Sequence, residues 1–538
     1  MTKSHEHIHL LGDPQENFYI LGKKDKYSYA QMYQQISMLC ARSPNMAKII
    51  KITTELSRQL LIKRQPHNIN ELKAYAEGLE RSLNDVLFAL LLPEIVASFN
   101  KWVPPLISII PGCSSLFTHN SSTQEIVHTR ILDYALSGPF EKYERSVFYD
   151  FNDRYKTFAY STTGMPFPAL SAMNEKGLSL ALHYKHGKFF DLEGNSIFLI
   201  ANQIMNQCSN IREAIKLVKK TKSISYWGLY LCDQNAEVAS IDIQGNEVFQ
   251  EKFDLTDHNY LYFNNRPLLK QNELESIQPY GNIHQCQMRR TEVKNQFHGF
   301  HSQTSDDLMM DTIKILGKQK KSKNKTAKNW NLSALTPSSI QLCSFELSKK
   351  SSLFVCGDTP KYFEGHYVHF AKIFQDFQMH EHTKKTKRKS NYIIGQRKLA
   401  TYQSLLDLGN ITEAYHEIQM AIEYLSNYSE VYIAKFFFLI TQYIYETDKR
   451  ELTYLHQQLD ALKDKLPSYL EDHRILFLMR LERLIGQKVN SQIDKIQHDK
   501  LKQLYRHEIK LNAIALKALR SLIFPRIEIV DIIYAYSD

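Results

Sequence analysis

The chain has 538 residues, 43% hydrophobic and 12% aromatic, more than one ordinary core holds, so two or more domains are expected. That composition excludes a chain that is mostly disordered. The formal net charge is +10, with much of the excess in two runs, Lys318–Lys328 and Lys384–Lys389. Neither run is interleaved with the aromatic residues that stack on bases, so nucleic acid is not expected as a partner and membrane contact is at most peripheral.

The first residues, Met1 to Asp13, are polar and contain no apolar core of the kind a secretory signal needs. The two most apolar stretches, Val86–Phe99 and Val431–Tyr445, are interrupted by Pro93 and Glu94 and by Lys435 and Gln442. Both fall short of the ~20 residues of a membrane span and read as buried helices. Seven widely spaced cysteines without a CxxC are neither a disulfide framework nor a zinc pattern. A reducing, cytoplasmic setting without metal or cofactor is the expectation.

Taken in chain order, residues 26–100 carry apolar positions at helical spacing, through Tyr29–Leu61 and again through Ile69–Phe99, with Asn84-Asp85 as the cap of the later helix. Pro104, Pro105 and Pro111 then break the pattern just ahead of Cys113. Short strands are predicted at Ser114–Thr118, Ile126–Leu132, Ser146–Phe151, Lys156–Ser161 and Gly177–His183. A helix over Ser196–Lys219 precedes strands at Trp227–Cys232, Glu237–Ile243 and Tyr260–Phe263. Asp306–Leu316 reads as helix, and Ser339–Glu346 with Ser352–Cys356 as a closing hairpin. Runs of strands with helices around them argue for an α+β layered domain.

The run His380–Lys389 marks a boundary by composition. Beyond it strand signals vanish, and turn-like breaks at Gly409-Asn410, Glu446–Asp448 and Gly486-Gln487 recur every 37 to 40 residues or about that. An all-helical region follows, either stacked hairpins of the tetratricopeptide type or an irregular bundle.

The segment that carries chemistry is Pro111–Tyr134, PGCSSLFTHNSSTQEIVHTRILDY. Cys113 follows a small residue and opens a strand, and Arg130-Ile131-Leu132-Asp133 closes the next one. On these residues alone a buried, inert cysteine is the commoner case. The segment resembles the start of the mature catalytic chain in the penicillin acyltransferase, acid ceramidase and choloylglycine hydrolase group of cysteine N-terminal-nucleophile hydrolases. There Cys-(Thr/Ser)-Ser opens a strand and Arg-x-x-Asp lies on its hairpin partner. Further pieces resemble the group in the same order: Ala74-Tyr75-Ala76-Glu77-Gly78 with Leu83–Leu92, Met173–Leu178 (MNEKGL), Leu229–Ile243, Leu261–Pro267 (LYFNNRP) and Ser338–Tyr367.

The resemblance, which covers roughly residues 5–372, implies a four-layer αββα sandwich, and the helical pattern beyond it adds an all-α C-terminal domain, of tetratricopeptide-like or irregular type. The resemblance divides residues 1–112, before a cleavage site at Gly112–Cys113, from a catalytic part at 113–375, and composition and helical patterning add a basic linker at 376–392 and a helical, repeat-like domain at 393–538. The resemblance further implies an autoprocessed cysteine amidohydrolase or acyltransferase that forms a thioester on Cys113 from a small-molecule N-acyl amide. The alternative is an inactive scaffold that binds a protein partner through its C-terminal helices.

The physical logic is that a thiol with a reference pKa of ~8.5 needs a local base. Cleavage would give Cys113 its own α-amine, with a reference pKa of ~8, within reach of the thiol. Arg130 is then expected to hold positive charge near the sulfur and Asp133 to orient the amine. Residues three apart on an ideal strand face opposite sides, so a bend between them is expected. Asn264 or Asn265 would donate to the oxyanion, a contribution of ~3 kcal/mol; alignment on Arg266-Pro267-Leu268 favours Asn265 and alignment on the strand favours Asn264. Arg289, with Arg290 adjacent, resembles an arginine that completes the site. Tyr184 stands where bile-salt hydrolases carry a pocket asparagine, so it is expected to contact substrate and to disfavour bile-salt-like molecules.

Overall fold

The computed structural model describes residues 5–41, 52, 55–56, 59, 66–99, 112–133, 142–185, 191–267, 280–318, 334–336, 338–383, 390–466, 468–487, 492–497 and 499–510. Pro104, Pro105, Pro111, most of Lys318–Lys328 and all of Lys384–Lys389 lie outside the described residues.

Among the described residues three helices precede Cys113: α1 (Pro14–Ala41), α2 (Pro66–Leu79) and α3 (Leu83–Phe99). Proline is suited to the first position of α1 because its missing N–H would have no helical partner there, and the Asp13 carboxylate accepts from the Glu16 amide at 2.8 Å. At α3 the cap is Ser82 rather than Asn84-Asp85: its hydroxyl accepts from the Asp85 amide at 3.1 Å. Helices α1 and α2 cross where Gly22 meets Gly78; a Cβ on Gly78 would lie 2.1 Å from the Tyr19 carbonyl oxygen. Close backbone approach accounts for the glycine in Ala76-Glu77-Gly78.

Two sheets follow. The first has eight strands in the order β1 (Glu6–Gly12), β4 (Arg145–Phe151), β5 (Thr157–Ser161), β6 (Ser171–Asn174), β7 (Ser179–Tyr184), β8 (Tyr226–Cys232), β9 (Glu237–Gln244) and β10 (Glu247–Asp254). The second has seven: β11 (Leu261–Phe263), β2 (Gly112–Asn120), β3 (Glu125–Asp133), β12 (Ser339–Glu346), β13 (Ser351–Val355), β14 (His366–Ala371) and β15 (Gln378–Thr383). Pairing is antiparallel apart from β1, which runs parallel to β4.

Several of these elements differ from the sequence reading. The N-terminal residues supply an edge strand because Ile8 and Leu10 alternate with His7 and His9 and are buried. The predicted helix over Ser196–Lys219 is two, α4 (Ile197–Gln207) and α5 (Ile211–Val218), because Asn210 caps the second by accepting from the Glu213 amide. The hairpin β12–β13 does not close the sheet; β14 and β15 extend it, so the expected linker at 376–392 begins as strand.

Alternation along the strands sorts the cores into layers. Leu180, Leu182, Leu229 and Ile241 of the first sheet pack with residues of α1 to α5. Phe158, Tyr160 and Tyr230 meet Phe117, Phe345 and Phe354 between the sheets. On the far side of the second sheet Leu116, Val127 and Leu342 pack against α6 (Tyr280–Gln296) and α7 (Leu308–Leu316). The same apolar cluster runs on into the C-terminal helices α8 (Asn391–Leu408), α9 (Ile411–Tyr424), α10 (Val431–Tyr445), α11 (Lys449–Asp460) and α12 (Ser468–Ile485). A further short helix, α13 (Asp499–Glu508), is tied to α12 by a buried Arg480–Glu508 ion pair. Among the described residues no helix is long and apolar enough to cross a membrane.

Residues on either side of Gly112–Cys113 build these layers jointly. Asp25 of α1 accepts two bonds from Arg145 of β4, at 2.5 and 2.8 Å, and a third from Tyr75 at 2.6 Å, all buried. Glu94 of α3 accepts from the Ser196 hydroxyl and the Ile197 amide, both at 2.7 Å, at the start of α4. Burial pushes the Glu94 carboxyl up to about 7 despite those donors. The folded chain therefore holds a proton that the unfolded chain releases at ordinary carboxyl pKa. The stability this confers is complete below about pH 4.5 and is lost as pH rises through about 7. Glu94→Gln should flatten the fall in stability between pH 5 and 7.5, by up to about 3 kcal/mol. Thermal unfolding across that range checks it; parallel curves for the two proteins would contradict it.

Candidate active site

Cys113 is the second residue of β2, paired with Leu132 of β3, while Gly112 pairs with Asp133 and Ser115 with Arg130. Cys113, Ser115, Arg130 and Leu132 thus share the face of the second sheet that looks towards the first. Arg130 is fully buried; its Nη2 lies 3.0 Å from the Cys113 Sγ and 2.5 Å from the Leu182 carbonyl of β7. Beneath it Ser115 Oγ bonds His183 Nε2 at 2.8 Å and His128 Nε2 at 3.2 Å. Burial, and then the charge of Arg130, hold both imidazoles well below their ordinary pKa, so they are neutral.

Asp133 points to the other face, where α6 brings Arg289. Arg289 Nη1 donates to the Asp133 carboxylate at 3.0 Å and to the Cys113 carbonyl at 3.0 Å, and Nη2 donates to Asn265 Oδ1 at 3.0 Å. The Ser339 hydroxyl donates to the second carboxylate oxygen of Asp133. Opposite Asp133 the β12 register slips by one residue at Ile340. The expected irregularity therefore lies in the partner strand, and Arg130 and Asp133 stay on opposite faces. One reaches the thiol and the other the main chain beside it. A Cβ on Gly112 would come 2.7 Å from the Asp133 carboxylate, so only glycine fits there unless Asp133 shifts.

Of the asparagine pair, Asn265 meets Cys113: its Oδ1 accepts from the Cys113 amide at 2.8 Å and its Nδ2 donates to the Tyr184 carbonyl at 3.0 Å. Asn264 turns away, donating to the Cys286 carbonyl at 2.9 Å and accepting from the Arg266 amide. Tyr184 reaches the site through that carbonyl. Its buried ring meets Trp227 edge-on at 5.7 Å and is not part of the cavity wall. Arg289 is fully buried, whereas its neighbour Arg290 is exposed.

The thiol borders an open cavity of about 810 Å³, solvent at its mouth included. Leu132, Leu182, Phe198, Trp227 and Ile340 line it, together with Met32, Ala89 and Pro93 from the helices upstream of Cys113. Glu144 and Gln341 add polar groups, and Glu144 is paired with Lys361 at 2.6 Å. Burial pushes the Cys113 thiol up; Arg130 pulls it down and Asp133 acts against that pull. With its amide still in a peptide bond, the sulfur stays protonated. Sequence reasoning did not single out Ser339, Glu144 or the upstream wall of the cavity, because no local pattern marks a residue whose partner lies over 100 positions away. Among the described residues no group of three or more His, Cys, Asp or Glu is arranged to hold a metal ion.

Residues 131–342 match the model of the acyl-coenzyme A:6-aminopenicillanic acid acyl-transferase family. This is the group that the motifs resemble. Asp133, Tyr184, Asn264, Asn265 and Arg289 fall within the matched residues, and Cys113 and Arg130 lie just before them. Solved structures similar to the chain include penicillin V acylase from Agrobacterium tumefaciens, 13% identical over 49% of this chain and 87% of that one, with a TM-score of 0.33. The Caenorhabditis elegans ortholog of N-acylethanolamine-hydrolyzing acid amidase is 14% identical over 47% and 97%, with a TM-score of 0.29. A mutant of conjugated bile acid hydrolase from Clostridium perfringens is 12% identical over 51% and 97%, with a TM-score of 0.27. No curated protein matches the chain.

The buried pair at the site has a measurable consequence. Removing Arg289 strands the Asp133 carboxylate away from water, which costs about 3–5 kcal/mol for a buried ion pair. Arg289→Met should therefore lower the stability to chemical denaturation by about that amount, and Arg290→Met by no more than about 0.5 kcal/mol. Equal effects of the two substitutions would contradict the assignment.

Proposed function

We propose that the chain is a self-maturing cysteine amidase, or an acyltransferase using the same covalent step. The observation that carries this is the position of Cys113: Sγ beside Arg130, main-chain N–H held by Asn265, carbonyl held by Arg289, and an apolar cavity in front of the sulfur.

Maturation in this reading begins when the Cys113 sulfur attacks the Gly112 carbonyl carbon. The C–N bond breaks, the nitrogen takes up a proton, and Gly112 is held as a thioester. Water then attacks that carbon, leaving a Gly112 carboxylate, a free thiol and a free α-amine on Cys113. The amine lies next to the thiol, so it can take the thiol proton and return it to a leaving group without a separate histidine. Asn265 Oδ1 would accept from this amine, and Asp133, held by Arg289 and Ser339, would balance its charge.

In turnover the sulfur attacks the carbonyl carbon of an N-acyl amide. One of the two Asn265 amide N–H groups serves the oxyanion. The amine leaves with the proton carried by the Cys113 nitrogen, and the acyl group stays on sulfur. Water or a second amine then takes it. The cavity wall supports an apolar acyl group as the favoured one. The C-terminal helices take no part in this chemistry; we assign them to a helical, repeat-like unit suited to a protein partner.

Purified wild-type protein should give fragments of about 13 and 50 kDa on a denaturing gel, absent in Cys113→Ala. The fragments should co-elute on native size exclusion, because Asp25–Arg145 and the strand pair β1–β4 join them. The matured protein should hydrolyse a dodecanoyl amide faster than the matching acetyl amide. A single unprocessed band that leaves both amides untouched would favour the scaffold alternative.

A further inference from the structure

We propose that Lys185 is a positioning residue for this site, acting through the turn that carries Asn265; the inference rests on the amidase reading above. Lys185 directly follows β7 and is fully buried. A lysine at the end of a strand ordinarily reaches solvent, because burying an ammonium costs several kcal/mol unless it is paired and hydrogen-bonded. Here its Nζ donates to the Arg266 carbonyl at 2.7 Å, to the Tyr230 hydroxyl at 2.7 Å and to the Asn264 carbonyl at 3.5 Å. The Tyr230 hydroxyl in turn donates to the Asn264 carbonyl at 3.4 Å. Asp242 of β9, 3.5 Å away, supplies the countercharge and is itself held by Tyr226 at 3.1 Å.

The two carbonyls flank Asn265 along the chain. Asn265 is therefore fixed from behind by the lysine, through its neighbours' main chain, and in front by its side-chain bonds to Cys113, Tyr184 and Arg289. The fold leaves a path for this side chain. Gly228 of β8 pairs with His183, and a Cβ there would lie 2.6 Å from the Lys185 Cε. Burial alone would pull the lysine down, yet Asp242 and Tyr230 outweigh it and raise it above the ordinary value, so the residue is a fixed cation rather than a base.

The test pairs Lys185→Met with Asp242→Asn, so that no carboxylate is stranded, and uses Gly228→Ala as a second way to displace the lysine with both charges kept. The substrate is the dodecanoyl amide of 7-amino-4-methylcoumarin. Both variants should lower kcat about tenfold or more while KM moves less than about threefold, the pattern of a contact used in the transition state. A crystal structure of either variant should show the Cys113 N to Asn265 Oδ1 contact opened from 2.8 Å with the two sheets superposing. Wild-type kcat in both variants, or that contact unchanged, overturns the proposal. If wild-type protein releases no coumarin, the amidase reading falls and the crystal contact alone decides the role of Lys185.

Discussion

The register of β2 against β3 is the constraint on which the site depends. Pairing Gly112 with Asp133 and Cys113 with Leu132 sends the sulfur and Arg130 to one face and places Asp133 and Arg289 beside the main chain on the other. A slip of one residue would exchange those faces. The Cys113 sulfur would then look into the helix-covered core, and its peptide bond would lose the Asp133 carboxylate. The two nine-residue strands are buried almost throughout, which makes such a slip costly, since every apolar side chain on the shifted strand would change sides as well.

Most of this was legible in order and chemistry, and less so in register. The strands around Cys113 and Arg130 follow from alternation, and the helices before and after the sheets follow from apolar spacing. Asn264 against Asn265 could not be separated along the chain, because neighbouring residues at a strand end have near-equal local signals. The choice is made by Cys113, over 150 residues earlier. Arg289 and Arg290 pose the same problem on a helix, where only the neighbour across the groove tells the buried position from the exposed one. Lys185 carried no signal at all: its partners Asp242 and Arg266 are contributed by other strands and turns. The β1 strand was missed for a related reason, since a parallel pairing with β4 leaves no hairpin or turn to mark it.

The cavity also bears on the proposed maturation. Its wall combines Met32, Ala89 and Pro93 with residues that follow Cys113, so under the proposed maturation the segment before Gly112–Cys113 would stay part of the folded unit after cleavage. Asp25, Glu71 and Glu94 each pair with a residue beyond Cys113, and these contacts do not depend on the Gly112–Cys113 link. The proposed maturation would change one nitrogen from amide to amine and leave the layers in place. The neutral thiol enforced by burial would then gain the base that it lacks.

The central claim is that this nitrogen is free in the working protein. Intact-mass and peptide mass spectrometry of active protein, taken after brief exposure to a dodecanoyl amide and acid quench, reads it directly. The account predicts a chain that begins at Cys113 with an unblocked amine and carries one dodecanoyl group on that residue's sulfur. Turnover by protein whose Gly112–Cys113 bond is intact, or an acyl group on any other residue, would contradict it.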